Sequence, residues 1–233
     1  MFNLNLGKKL GAAAIIALGS MSSANALVLD SFDYDVTVNQ NGVGTTTSGL
    51  LVGVTSTPVP GDVEYSLEVT QDLLAAPEAG VVSSLSEGVM SFSVDSGVKA
   101  VLTLAYSDSD APGPIDITDA GQSKAFYFDI LGSDAGFALE ITVKDIFDNT
   151  SVGTIISSNV LFDDLIPERE FLSFNDFSGT AVFSLIKEIT AVITAPTDSD
   201  LTIAEVGTVP EPTTLAIFGL GLLGLGLSRR RQA

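Results

Sequence analysis

The sequence predicts an all-β protein, a two-sheet β-sandwich of jelly-roll type flanked by two terminal address segments. Three observations lead there. Apolar and polar residues alternate with period two over many short stretches, the pattern of strands with one buried and one wet face. Turn residues break these stretches at short intervals. Val, Ile, Thr and Phe recur throughout, and no long stretch carries a helical period.

Taken in order, the first strand is expected over Leu27 to Val38, closed by the turn Asn41-Gly42. Pro60-Gly61-Asp62 precedes a strand in which Val63, Tyr65, Leu67 and Val69 face one way. Asp72 to Ala79 is expected to form one helical turn. Met90, Phe92 and Val94 alternate next, and Asp95-Ser96-Gly97 is expected to join them to Val98–Tyr106 as a hairpin. After Ala111-Pro112-Gly113-Pro114 comes Phe126–Leu131. Gly132 to Gly136 is expected to fold it back on Phe137–Val143 as a second hairpin, and Asp148-Asn149-Thr150 turns the chain into Gly153–Ser157. Phe171–Phe174, Thr180–Leu185, Glu188–Thr194 and Leu201–Val206 complete about eleven strands. Spacing of this kind suits a sandwich or barrel, and a two-sheet jelly roll fits roughly 180 residues with uneven loops. The absence of a repeat of fixed period speaks against a propeller or solenoid.

The chain has 233 residues, with 10 Lys+Arg against 29 Asp+Glu and no His, Cys or Trp. That inventory excludes Ser-His-Asp and Cys-His catalysis, imidazole or thiolate metal sites, and disulfides. Burial of the sheet faces must therefore carry stability outside the cell. Between Leu27 and Val209 stand five basic residues, Lys99, Lys124, Lys144, Arg169 and Lys187, against 28 acids, a formal charge of −23. A body this acidic repels phosphate backbones, which argues against nucleic-acid binding.

The ends read as addresses. Lys8-Lys9, the apolar run Leu10 to Leu18 and the small-residue stretch ending Ala24-Asn25-Ala26 form a signal-peptide pattern, with cleavage expected after Ala26 and export through the secretion translocon. At the other end Pro210-Glu211-Pro212 precedes the 13-residue apolar run Leu215 to Leu227, and then Arg229, Arg230 and Arg231. As a helix this run would reach about 20 Å, short of the roughly 30 Å hydrocarbon core. The arginines and Lys8-Lys9 would stay on the cytoplasmic side, leaving the body outside the inner membrane. Three parts follow: residues 1–26 as signal peptide, 27–206 as the β-sandwich body, and 207–233 as linker and tail. Gly219-x-Gly221-x-x-Gly224 matches a dinucleotide fingerprint in letters only, since the chain ends nine residues later and the required strand and acidic residue are missing.

The order Pro-Glu-Pro, short Gly/Leu-rich apolar run, arginine cluster, chain end closely resembles the PEP-CTERM sorting signal of Gram-negative bacteria that make extracellular polysaccharide. The resemblance covers about a tenth of the chain. It implies recognition by an exosortase-type membrane protease and processing near Pro210-Glu211-Pro212. The chain would be held in the inner membrane by its C-terminal helix, then passed to the cell surface or matrix. It implies nothing about the chemistry of the body.

In the body, acids are the candidate site residues. Asp30, Asp33 and Asp35 lie on or near the first strand, and Asp198 and Asp200 precede the last. First and last strands are often neighbours in a jelly roll, so the two groups are expected to converge as a calcium site, built of oxygen ligands. Asp108 and Asp110 with Asp116 and Asp119 form a second candidate. Glu168 and Glu170 flank Arg169 and offer a carboxylate pair, which a salt-bridged loop explains equally well. Phe171, Phe174 and Phe177, spaced by three, require a change of backbone direction and suit a core. Tyr34, Tyr65, Tyr106 and Tyr127 are the aromatic residues whose hydroxyls suit a wet surface. No catalytic residue is expected. The functional expectation is a non-enzymatic, exported structural or adhesive protein of the surface or matrix. The alternative is a glycan-binding module, calcium-assisted, for extracellular polysaccharide. A polysaccharide hydrolase comes third.

Overall fold

The computed structural model describes residues 26–48, 62–72, 78–84, 88–107, 114–157 and 168–210. Among the described residues fourteen strands form two seven-stranded antiparallel sheets. The first sheet contains β1 (Leu27–Asp30), β2 (Val36–Asn41), β5 (Glu78–Ser84), β6 (Val89–Val94), β8 (Ser123–Ser133), β11 (Glu168–Ser173) and β14 (Ser199–Pro210). Its order is β11-β8-β14-β6-β5-β2, with β1 added alongside the end of β14. The second contains β3 (Gly44–Thr47), β4 (Asp62–Asp72), β7 (Val98–Ser107), β9 (Phe137–Asp145), β10 (Thr150–Ser157), β12 (Ser178–Gly179) and β13 (Ile186–Ala195), in the order β12-β10-β9-β13-β7-β4-β3. The all-β class and the two-sheet jelly-roll sandwich are as the sequence predicts.

The alternating positions meet between the sheets. Val63, Tyr65, Leu67 and Val69 of β4, Leu102 and Leu104 of β7, and Phe126, Phe128 and Ile130 of β8 are buried in one continuous core. Each large apolar side chain enclosed in this way contributes about 1.5–3 kcal/mol relative to exposure.

Two expected hairpins are corners instead. Asp95-Ser96-Gly97 carries the chain from β6 in one sheet to β7 in the other, and residues 134–136 carry it from β8 to β9, again across sheets. The first corner is a tight turn, with Val98 N–H donating to the Asp95 carbonyl at 3.1 Å and Gly97 at φ 82°. Both flanking strands point their apolar residues at the same core whether they pair or face each other, so alternation does not separate the two cases. The β9–β10 connection is a true hairpin, paired from Thr150↔Lys144 to Ser157↔Phe137.

Other differences have local causes. The expected long first strand breaks after Asp30, where Phe32 takes φ 54° and its N–H donates to the Asp30 carboxylate at 2.7 Å. Residues 180–185 form a loop rather than a strand, because Asp145 captures the Val182 N–H at 3.0 Å and Leu185 N–H turns back to the Val182 carbonyl. Of the expected helical turn, Asp72 ends β4 and Glu78–Ala79 begin β5; residues 73–77 lie outside the described residues. Residues 207–210, where the sequence suggested a linker, continue β14 between β1 and β8.

Register orients the sandwich. Pro210 pairs with Ser123 at the start of β8, and Leu27 pairs with Thr208. Asp145 at the end of β9 pairs with Ile186 at the start of β13. Since β8 and β9 run in opposite directions around a corner, Leu27, Pro210 and the β9–β10 hairpin tip lie at one end of the sandwich. Asp95, Asp134, Asp198 and Asp200 lie at the other.

Candidate functional site

Asp30 has a particular environment. It sits on β1, 1% exposed, at the wall of an apolar cavity of about 40 Å³ between the sheets. One carboxylate oxygen accepts the Phe32 N–H; the other accepts the Tyr34 hydroxyl at 2.7 Å and the Tyr106 hydroxyl at 2.8 Å. The Tyr34 and Tyr65 hydroxyls share a further bond of 2.7 Å. Tyr65 and Tyr106 belong to the second sheet, so the cluster ties both sheets through one carboxylate. Burial pushes the Asp30 carboxyl up to about 6; the three hydrogen bonds oppose that shift, and the neighbouring Asp33 charge adds to it. Burial beside this carboxylate also raises the Tyr34 and Tyr106 phenols.

The acids expected to converge do not. Asp30 is turned into the core, while Asp33 and Asp35 are exposed, Asp33 accepting the Ser31 hydroxyl at 2.9 Å. Asp30 pairs with Val206, six residues along β14 from Asp200, or roughly 20 Å of strand. At that far end Asp198 N–H donates to the Asp95 carbonyl at 3.3 Å, Asp200 N–H donates to the Asp134 carboxylate at 2.7 Å, and the Ser93 hydroxyl bonds the Asp200 carboxylate. Among the described residues no group of three or more acids is arranged to hold a metal ion. Asp108 and Asp110 of the second candidate lie outside the described residues. Asp116 instead caps its own turn, accepting the Thr118 and Ala120 amides.

Arg169 lies on β11, not in a loop, and its partner is neither flanking glutamate. Its guanidinium forms a two-point bridge to Asp129 at 2.6 Å on each arm and lies 4.1 Å over the Tyr127 ring. The Tyr127 hydroxyl donates to Glu205, and Glu170 accepts the Ser157 hydroxyl at 3.1 Å. All four tyrosines are buried. A 3₁₀ turn at Phe174–Asp176 gives the predicted change of direction. It sends Phe174 and Phe177 against Phe126 and Phe183, with ring centroids 4.7–5.7 Å apart, and leaves Phe171 52% exposed.

The address residues meet the sandwich at one place. Ala26 is exposed immediately before β1, and Pro210 is the last residue of β14. Ala24, Glu211, Pro212, Arg229, Arg230 and Arg231 lie outside the described residues. Among the described residues no helix is long and apolar enough to cross a membrane; the apolar run 215–227 is not among them.

The sequence profile of the PEP-CTERM protein-sorting motif matches residues 208–231. The tail carries a PEP-CTERM protein-sorting motif. Its first three residues, Thr208, Val209 and Pro210, are therefore strand residues of the body, paired to β8. No curated protein matches the chain. Among solved structures, the chain is similar to the family 11 carbohydrate-binding module of the cellulosomal cellulase Lic26A-Cel5E of Clostridium thermocellum. Identity there is 14% and TM-score 0.40, covering 82% of this chain and 97% of that one. An exo-β-agarase gives 12% identity and TM-score 0.40, over 82% of this chain and 25% of that one. TmCBM61 in complex with β-1,4-galactotriose gives 14% and 0.33, over 62% and 88%. At these scores the likeness bears on neither ligand nor activity of this chain.

Proposed function

We propose that this chain is an exported, non-enzymatic structural or adhesive protein of the cell surface or extracellular matrix, delivered by an exosortase-type membrane protease. The observation that carries the reading is the junction at Pro210. The sorting motif begins inside the last strand, so the whole sandwich between the two addresses is the cargo. The competing reading, a calcium-assisted module for extracellular polysaccharide, calls for exposed tyrosines on one sheet face. The burial of all four supports the structural role over it.

The test is fractionation of the producing cell. The wild-type chain is expected at the surface or in the matrix, shortened at both ends. Glu211→Ala, or deletion of Arg229–Arg231, is expected to leave a longer form in the inner membrane. Unchanged size and surface display in both variants would overturn the sorting claim. Saturable, chelator-sensitive binding of the purified protein to the producer's polysaccharide would replace the structural role with the glycan-binding one.

A further inference from the structure

We propose that the end of the sandwich from which the chain leaves is a bilayer-docking face, with Ile146, Phe147 and Val182 seated among the phospholipid headgroups while the tail is still anchored. This inference rests on the sorting reading above, and three observations carry it.

The first is apolar exposure where a soluble protein gains nothing from it. Phe147 is 64% exposed, Ile146 41% and Val182 40%. The three are held together: Ile146 N–H donates to the Leu185 carbonyl at 3.1 Å, and Asp145 accepts both the Phe147 and Val182 amides, at 2.8 and 3.0 Å. Asp145 is itself buried and accepts Asn149 as well. The tip is thus a braced shape presenting apolar side chains.

The second is placement. This tip shares the end of the sandwich with Pro210 and Leu27, the two points where the chain passes to its address segments.

The third is the length of chain beyond the strand. Four residues, 211–214, separate Pro210 from the apolar run that starts at Leu215. Fully extended, the steps from 210 to 215 span at most about 18 Å. The headgroup layer takes about 5–8 Å of that on one side of the bilayer. The anchored sandwich is then held within roughly 10 Å of the leaflet, and the end that faces it is the one bearing Phe147.

Charge makes this face tolerable to lipid but does not drive the contact. Lys144 lies 3.4 Å from Glu188 and 3.5 Å from Asp148, and Lys187 2.6 Å from Asp148, so Asp148 and Glu188 at the rim of the tip are balanced by two lysines. Asp116 and Asp119 are exposed at the same end, which excludes attraction to anionic lipid as the source of binding. The expected partner surface is therefore a zwitterionic bilayer, engaged through the apolar side chains.

The chain has no cysteine, so a single one can be placed and labelled without background. The full-length protein is reconstituted in phosphatidylcholine bilayers containing lipids spin-labelled near the headgroup. One sample carries a polarity-sensitive fluorophore at Phe147→Cys, a second at Ile156→Cys. Ile156 is 84% exposed and pairs with Ala138 near the opposite end, so it controls for exposure alone. The label at 147 is expected to be blue-shifted and quenched at least threefold more strongly than the label at 156. Equal quenching in protein that floats with the bilayers would overturn the docking face while leaving the anchor intact. A blue shift at 147 without lipid quenching would assign the tip to a protein contact and overturn it too. Protein that does not float would overturn the anchoring reading and this inference with it.

Discussion

The Tyr106 hydroxyl donates to the Asp30 carboxylate at 2.8 Å across the gap between the two sheets. Asp30 stands on β1, the strand that follows the expected signal-peptide site. Its neighbour β14 leads into the sorting motif. A buried polar tie of this kind fixes how two otherwise apolar faces register, since any sliding would leave a carboxylate unpartnered in the core.

Because Asp30 is raised to about 6 in the fold from 3.8, its ionisation opposes folding. The folded state holds the proton more tightly, so the Asp30 contribution to stability is full below about pH 4 and lost as pH rises through 6. Its size is about 3 kcal/mol. Asp145 shifts the other way: burial alone would raise its carboxyl, but Asn149 and the amides of Val182, Phe147 and Asn149 hold it below the ordinary range. That group loses its contribution as pH falls through its depressed value. Thermal unfolding should therefore show Tm rising from pH 7.5 to about 5 and falling below about 4. In Asp30→Asn the rise should shrink; an unchanged pH profile in that variant would remove Asp30 as its cause.

Removing one donor tests the same cluster from the other sheet. Tyr106→Phe keeps the ring and deletes a hydrogen bond to a carboxylate, with an expected loss of about 1.5–3 kcal/mol at pH 7.5. Urea unfolding at pH 7.5 and pH 5 should show the smaller loss at pH 5, where Asp30 is largely protonated. A loss of the same size at both values would mean that the carboxylate charge does not enter.

Most of the sandwich was legible as strands because alternation reports burial directly: Val63 to Val69 and Met90 to Val94 fall as their periods require. Pairing was not legible. Nothing in Asp95-Ser96-Gly97 distinguishes a hairpin from a corner, since both send the following strand back along the same core. The sorting tail was legible because its information is local in sequence. The Asp30 cluster was not, because three of its members come from Tyr34, Tyr65 and Tyr106, up to 76 residues away in sequence. The signal that could have found it is an aspartate at an inward position of the first strand, in a chain whose tyrosines also fall on inward positions.

Gly207 is where β14 passes closest to its neighbours. A Cβ there would lie 2.5 Å from the Leu27 carbonyl oxygen and 2.5 Å from the Tyr127 ring. Arg169 lies over one face of that ring and Glu205 holds its hydroxyl, so it has little room to yield. Gly207→Ala is expected to destabilise the fold by about 1–3 kcal/mol, the range of overpacked sites. It should also loosen the β1–β14 edge. Hydrogen exchange at residues 27–30 would read this directly, and protection unchanged from wild type would show that the edge accommodates the methyl group.

Thr208 supplies the opposite case, a substitution that should strengthen the fold. Among the described residues its buried hydroxyl has no hydrogen-bond partner, and neither has that of Ser123, the β8 residue that pairs with Pro210 at the strand end. Thr208 is fully enclosed and paired with both Leu27 and Phe126. An enclosed hydroxyl that donates to nothing carries its desolvation penalty without return, and replacing it by a methyl group of the same shape removes that penalty. Valine also has the higher strand preference. Thr208→Val is expected to raise stability by about 1 kcal/mol in urea unfolding. Because position 208 is also the first residue of the sorting motif, the same variant separates two demands on β14. If the motif is read only from Pro210 onward, processing in the producing cell should be unchanged while the body is firmer. Slower processing would mean that the protease needs the end of β14 to leave the sheet before it acts.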